Sequence, residues 1–435
     1  MQGRTAGALA RVLRIFGPVE QAEAGTVVLL LLNLFVLLFT YYLLKTLREP
    51  LILATGGAEM KSYAAAFQAA GLVAFVPAYG WISSRVDRGR LIVAMVLFFA
   101  ATVEIFSLAS LARVPYLGFA FFVWLGIFSN AAIALFWSYA SDLHGPESGE
   151  RLFPVIAVGA AAGSPVGSKV AERLFAGGMS PDEMMHVGAL LLVVQLALYR
   201  IVERRTRGTR RVERAPLASG PGGFGLVLRS PYLRLVAVLL ILLNLVNTTG
   251  EYILGRSVVS AARLAAAADP ALDVASYIGA FYGRYYFWVN IASVVLQALL
   301  VSRIVKRLGL AGAIFALPIV AFGAYALVAA GAGLAAIRWA KGAENAVDYS
   351  AMNTGKQLLW LPTAPEEKYE AKQVIDSFFV RAGDLLAAGV VFAGTTFLGA
   401  GIAGFAFLNL VLVVLWVTTA WALLGRYRSL CVTCR

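Results

Sequence analysis

Basic and acidic residues at helical spacing, set within strongly apolar stretches, are the part of this sequence that could do chemistry. The run LLKTLREPL places Lys45 and Arg48 three residues apart, on one face of a helix, with Glu49 beside them. Two such cations can grip an anion, Lys45 as a point charge and Arg48 through its planar fork, while the carboxylate holds the pair in place. At the end of a helix the same residues could instead stretch along lipid and lift their charges to water. A second group lies in IRWAKGAENAVDYSAMNTGKQ, where Arg338, Lys341, Glu344 and Asp348 recur every three or four residues and Lys356 follows. On a helix they share one side, either pairing with one another or lining a polar cavity. Glu104, Glu251, Arg256, Arg284, Arg381 and Asp384 also fall within or at the ends of apolar stretches. Arg381 and Asp384 are spaced to neutralise each other. Glu104 and Glu251 are candidate proton carriers, with a satisfied structural role the alternative for Glu104. Together, plentiful cations among these groups favour an anionic solute, and phosphate suits both arginine and lysine.

Enzyme chemistry finds little support. The two histidines, His144 and His186, fall in expected loops and leave no metal constellation, and Cys431 and Cys434 form one Cys-x-x-Cys on the tail. The glycine run VGAAAGSPVGS (Val158–Ser168) follows no strand and lacks the Gly-Lys-Ser/Thr ending of a phosphate loop, so close helix packing is its expected use. No cofactor is implied.

The elements that must position these charges are membrane helices. Hydrophobic residues make up 60% of the 435 positions and charged residues 14%, too apolar for a single water-soluble core. The apolar stretches run to about twenty residues, the length a helix needs to cross a bilayer, and lack the short alternation of a β-barrel. Expected spans are Ala24–Thr46, Tyr63–Ser83, Leu91–Leu111, Leu117–Ala140, Phe153–Phe175 and Met184–Val202 in a first set. A second set comprises Leu233–Ser260, Ile278–Val301, Ala311–Ala330, Gly333–Asn353, Asp376–Leu398 and Gly401–Leu424. The expected fold is therefore an all-α polytopic membrane protein of about twelve transmembrane helices in two six-helix halves.

The net charge of +13 is concentrated in loops on one side, Arg85–Arg90, Arg200–Arg234, Arg303–Arg307 and the tail Arg426–Arg435. That pattern encodes topology rather than nucleic-acid binding, and it puts both termini in the cytoplasm of a bacterial inner membrane. Residues 1–23 and 425–435 become cytoplasmic ends, 24–202 and 233–424 the two halves, and 203–232 a basic linker that carries the topology signal or touches anionic lipid. The halves echo each other. GWISSRVDRGRLI follows the second span and LLVSRIVKRLGL the eighth, while FWSYASDLHGPESGERLF follows the fourth and LLWLPTAPEEKYEAK the tenth. Such repeats mark a transporter with its solute site between two similar halves.

Three runs carry a closer resemblance: FTYYLLKTLREPLILATGGAEMK, LFWSYASDLHGPESGERLFPVIAVGAAAGSPVGS and GKQLLWLPTAPEEKYEAKQVIDSFFVRAGDLL. They resemble the ATP/ADP antiporters (NTP/NDP exchangers) of plastids and intracellular bacteria, a distant branch of the major facilitator superfamily. The resemblance implies alternating-access exchange of nucleotides or a related phosphorylated anion, by a monomer; a proton-coupled carrier of another metabolite or drug is the alternative. It also implies that Lys45, Arg48, Glu49 and Lys356 meet the phosphates, and that Glu251 or Asn247 occupies the family's acidic position in the seventh span. Lys341 joins this set as a candidate anion contact. One feature departs from the pattern: YLGFAFFVWLGIFSNAAIALFW contains no acid where the family's ATP/ADP exchangers carry one early in the fourth span.

Overall fold

A computed structural model of the chain describes Leu13 and residues 18–83, 85–86, 88–144, 146–206, 222–364 and 367–433. These residues form helices and connecting turns, with no strand among them. In the first half, α1 (24–56) and α2 (58–83) run together through Gly57, whose φ of 71° is open to glycine at little cost. They are followed by α3 (Arg88–Leu111), α4 (Leu117–Leu143), α5 (Pro146–Ala176) and α6 (Pro181–Arg205). The second half begins with a two-turn helix, Gly223–Arg229, and α7 (Pro231–Ala268). Helices α8 (274–308) and α9 (310–329) merge at Gly309, and α10 (334–358), α11 (367–396) and α12 (Ile402–Thr433) complete the bundle.

Among the described residues, seven unbroken helical stretches are long and apolar enough to cross a membrane. Two of these are the pairs merged at Gly57 and Gly309, and α5, α10 and α11 are more polar, so the expected twelve helices are all present. Half of the expected basic linker, residues 207–221, lies outside the described residues, as do residues 1–12, 14–17 and Cys434.

Two expectations need correction. Helix α1 does not end near Thr46 but continues to residue 56, so Lys45, Arg48 and Glu49 lie within it rather than at a snorkelling end. His186 is not in a loop; it sits in the second turn of α6, whose start is fixed by the Ser180–Glu183 capping box.

Backbone packing explains the glycine run. A Cβ added at Gly159, Gly163 or Gly167 of α5 would lie 2.2, 2.4 and 2.4 Å from the carbonyl oxygens of Leu31, Phe35 and Phe39 on α1. Lipid supplies no hydrophobic drive between helices, so such close contact is a main source of cohesion. The second half is built differently. Wide π turns interrupt α8 at Gln297–Val301, α10 at Asp348–Met352 and α11 at Glu367–Ala371 and Ile375–Phe379. Each shifts the phase of the side chains beyond it.

The halves meet through α1, α2 and α5 against α7, α8 and α11. Tyr252 donates to Glu59 at 2.9 Å, Arg284 pairs with Glu172 at 2.8 Å, and Tyr63 meets Phe392. All three contacts lie toward the end of the bundle opposite the termini, here called the far end. At the termini end the named ties stay within one half: Arg151 bonds Glu23 and the Pro18 carbonyl, and Tyr232 donates to the Leu359 carbonyl at 2.6 Å. The halves thus clasp at the far end.

Gly163→Leu is expected to force α5 off α1 and lower stability by about 1–3 kcal/mol, read as a lower melting temperature in detergent. The Glu23–Arg151 tie predicts a pH dependence. The hydrogen bonds from Arg151 hold the Glu23 carboxyl below its usual range. Its stabilising contribution is therefore complete above the unfolded value of about 4.3 and fades as pH falls through the lower folded value. Melting of the wild type and Glu23→Gln should differ at pH 7 and converge as the pH is taken below about 4.

Candidate functional site

A polar cavity of about 980 Å³ lies between the halves. Helix α1 contributes Tyr41, Lys45 and Arg48, α2 Lys61 and Gln68, and α7 Asn247, Thr248 and Glu251. Tyr286 of α8, Asn345 and Tyr349 of α10, and Arg381 and Asp384 of α11 close the ring.

Ion pairs run along its wall. Glu49 is fully buried, where a lone carboxylate would carry a severe desolvation cost, and it is surrounded by donors. Arg48 donates to it through Nε at 3.1 Å, Tyr286 through its hydroxyl at 3.0 Å, and Lys61 Nζ lies 2.7 Å from its other oxygen. Lys61 follows the Gly57 turn closely, and this turn is what folds it back onto α1. Lys61 also reaches Glu251 of the opposite half at 3.3 Å, and Asn345 donates to the other Glu251 oxygen at 3.1 Å. One chain of charges thus links α1, α2, α7 and α10. A separate pair joins Arg381 to Asp384 at 3.2 Å, with Thr248 donating to Asp384 at 2.7 Å.

Lys45 differs from these cations. It is almost fully buried, yet among the described residues no carboxylate lies within ion-pair distance of it. Its ammonium instead sits over aromatic faces, 4.5 Å from the Tyr286 ring centre, 5.0 Å from Tyr42, and 5.9 Å from both Tyr41 and Tyr349. Ring quadrupoles offset part of the desolvation of a cation but leave its charge unneutralised. Lys45, Arg48, Lys61 and Arg381 stand against Glu49, Glu251 and Asp384, so the site carries one positive charge in excess.

The remaining expected residues spread over several places. Lys341 is buried behind the wall, donating to Glu344 at 2.9 Å and to the Asn247 side chain at 2.6 Å, while Tyr325 donates to the second Glu344 oxygen. Asp348 and Lys356 pair with each other at 3.2 Å, toward the termini end of α10 and off the cavity lining. Arg338 faces a different hollow, between α8 and α10. The row of four charges expected on one face of α10 is therefore divided between separate surroundings. Glu104 does not stand alone: His186 Nδ1 lies 2.7 Å from it, and both are well exposed on the outside of the bundle. Arg256 contacts the Tyr252 hydroxyl and the Ala400 carbonyl at the far end.

Lys61 and the tyrosine cage were not among the sequence candidates. Lys61 lies between the first two apolar runs and so passes for a loop residue, and tyrosines in apolar helices give no signal of their own.

A family model described as TLC ATP/ADP transporter matches residues 4–116, the segment that contains Lys45, Arg48, Glu49 and Lys61. That segment of the chain is thus similar to the TLC ATP/ADP transporter family. Its fold is that of several solved transporters. The nucleoside transporter NupG, in mutant form, is 14% identical with a TM-score of 0.63, covering 91% of this chain and 99% of its own. A bacterial homologue of the iron transporter ferroportin, in an inward-facing state, is 15% identical with a TM-score of 0.64, covering 92% and 98%. An autoinhibited POT family peptide transporter is 14% identical with a TM-score of 0.65, covering 93% and 96%. No curated protein matches the chain. These likenesses show a fold shared with membrane transporters.

Lys61→Met is expected to strand Glu49 and Glu251 without their shared cation. Removing one partner from a buried ion pair costs about 3–5 kcal/mol, so the melting temperature should fall below that of Lys356→Met, which touches only the less deeply buried Asp348 pair.

Proposed function

We propose that this transporter exchanges nucleotides, or a closely related phosphorylated anion, by alternating access of its two halves. The observation that carries this reading is Lys45, a buried ammonium in the central cavity with aromatic faces around it and no carboxylate at ion-pair distance among the described residues. An incoming phosphate would supply the missing negative charge. The Arg48 guanidinium, beside it on α1, would offer the second contact, and Tyr41, Tyr286 and Tyr349 would present flat faces to a base. Arg48 also lies against the Phe122 ring of α4, 4.0 Å from its centre, where the fourth span lacks an acid.

Exchange follows from the same charge. A loaded site gives the Lys45 ammonium an anionic partner as the carrier passes through the occluded state; an empty one must carry that ammonium unpaired, which is costly. Obligatory counter-transport is then the fast cycle. The arrangement of basic loops supports cytoplasmic termini in a bacterial inner membrane, so the cavity would open inward in this state. The site is complete within one chain, which supports function as a monomer. Glu251, Lys341 and Lys356 act in this scheme as a link between halves, a buried brace for Asn247, and a cation at the cytoplasmic end of α10.

The experiment is counterflow of labelled ATP into liposomes loaded with ADP. Uptake should require internal nucleotide and fall roughly ten- to hundredfold in Lys45→Ala, the loss expected for a hydrogen bond to a charged group. Equal uptake by Lys45→Ala, or uptake driven by a pH gradient without internal nucleotide, would remove Lys45 and exchange from the mechanism.

A further inference from the structure

Outside the central cavity, one surface groups cations in a way the transport scheme does not use. At the far end of the bundle, between α8 and α10, two adjoining hollows of about 500 and 740 Å³ share Arg284 and Arg338. Arg338 sits beside the Trp339 ring, 5.0 Å from its centre, and among the described residues no carboxylate lies within ion-pair distance of it. Arg284 gives its Nε to Glu172 across the halves and has its side chain about half exposed.

The smaller hollow is a trench in the outer face of the bundle. Trp288 and Trp339 form its rim, with ring centres 6.3 Å apart, and Val289, Ala292, Gly342 and Ala343 form its floor and sides. Both tryptophans are about half exposed although they are large and apolar. A trench of this kind arises because α10 presents Gly342 and Ala343 where larger side chains would fill the gap against α8.

Depth is set by the helix ends. Arg338 lies in the second turn of α10, and Glu172, which pairs with Arg284, lies close to the end of α5. Arginine and tryptophan together at this level mark the boundary between headgroups and hydrocarbon. The trench runs from the two guanidiniums into the apolar zone.

We infer that this groove holds one anionic glycerophospholipid of the far leaflet, its phosphate between Arg284 and Arg338 and an acyl chain in the trench between α8 and α10. Charge selects this occupant. Glu172 is shared by Arg284 and Lys169 and does not reach Arg338, which leaves an excess positive charge, and a phosphate diester accepts from two arginine forks at once. A basic hollow between membrane helices that continues as an apolar slot matches a lipid with a charged head and a chain, and neither a free anion nor a hydrocarbon uses both parts. The site is independent of which solute the central cavity carries.

The test uses the full chain, purified in detergent, depleted of lipid and titrated with dioleoylphosphatidylglycerol by native mass spectrometry. One copy should bind saturably, ahead of further weaker copies. Arg338→Ala should raise its dissociation constant at least tenfold. Gly342→Leu, which keeps both arginines and fills the trench, should do the same. Arg113→Ala, an exposed arginine in the α3–α4 turn, should change it less than twofold. Unchanged binding in both Arg338→Ala and Gly342→Leu would overturn the site. Full binding by Gly342→Leu together with displacement by millimolar inorganic phosphate would also overturn it, because the arginines would then hold a free anion without a chain. If Arg338→Ala does not fold, judged by its melting without added lipid, Gly342→Leu decides alone.

Discussion

Everything in this bundle is arranged around the cost of holding charge away from water. Glu49 has no exposed surface, and its ionised form survives because Arg48, Lys61 and Tyr286 converge on it from three helices. Those three partners fix the angle of α1 to α2 and bring α8 of the second half against the first. Lys61 then shares itself with Glu251, so the wall of the cavity and the clasp between halves are one network. Because the other cations of this wall, Arg48, Lys61 and Arg381, are paired with carboxylates, Lys45 is the cation left to meet a solute.

Much of the fold was legible in the sequence, and for a simple reason. Apolar runs of about twenty residues and one-sided basic loops are direct consequences of the bilayer, so helix number and their grouping into sixes could be read without a structure. The glycine run of α5 was likewise readable as packing, since its four-residue period puts small residues on one face. Less of the site could be read. Lys45, Arg48 and Glu49 announced themselves as charges in an apolar stretch, but their surroundings did not, because α1 continues beyond the point where its hydropathy falls. Hydropathy records the solvent of the helix surface, and a charge buried in a polar cavity looks from the sequence like a charge at a helix end. Lys61 was concealed by the same ambiguity. The α10 charges misled in another way: a perfect helical period implied one shared face, whereas three-dimensional partners on α7, α9 and within α10 itself took them in different directions.

The fourth helix shapes the site without contributing a charge to it. The stretch YLGFAFFVWLGIFSNAAIALFW holds no acid, and the Phe122 ring lies under the Arg48 guanidinium. An aromatic face there steadies the arginine without neutralising it, so Glu49 on the same helix serves as the counter-charge of Arg48. The positive character of the cavity is thereby kept within α1, where one helix can present both cations to a solute.

The π turns of α8, α10 and α11 have a mechanical consequence. A rocking carrier needs one part that transmits force and another that yields. The first half, with α5 seated backbone to backbone on α1, has no π turn among its described residues. In the second half each wide turn replaces tight hydrogen bonds with looser ones at a fixed place, and such places are where helices bend. The two halves thus share a plan but place their bending points differently, at Gly57 and the α5 prolines in the first and at the π turns in the second.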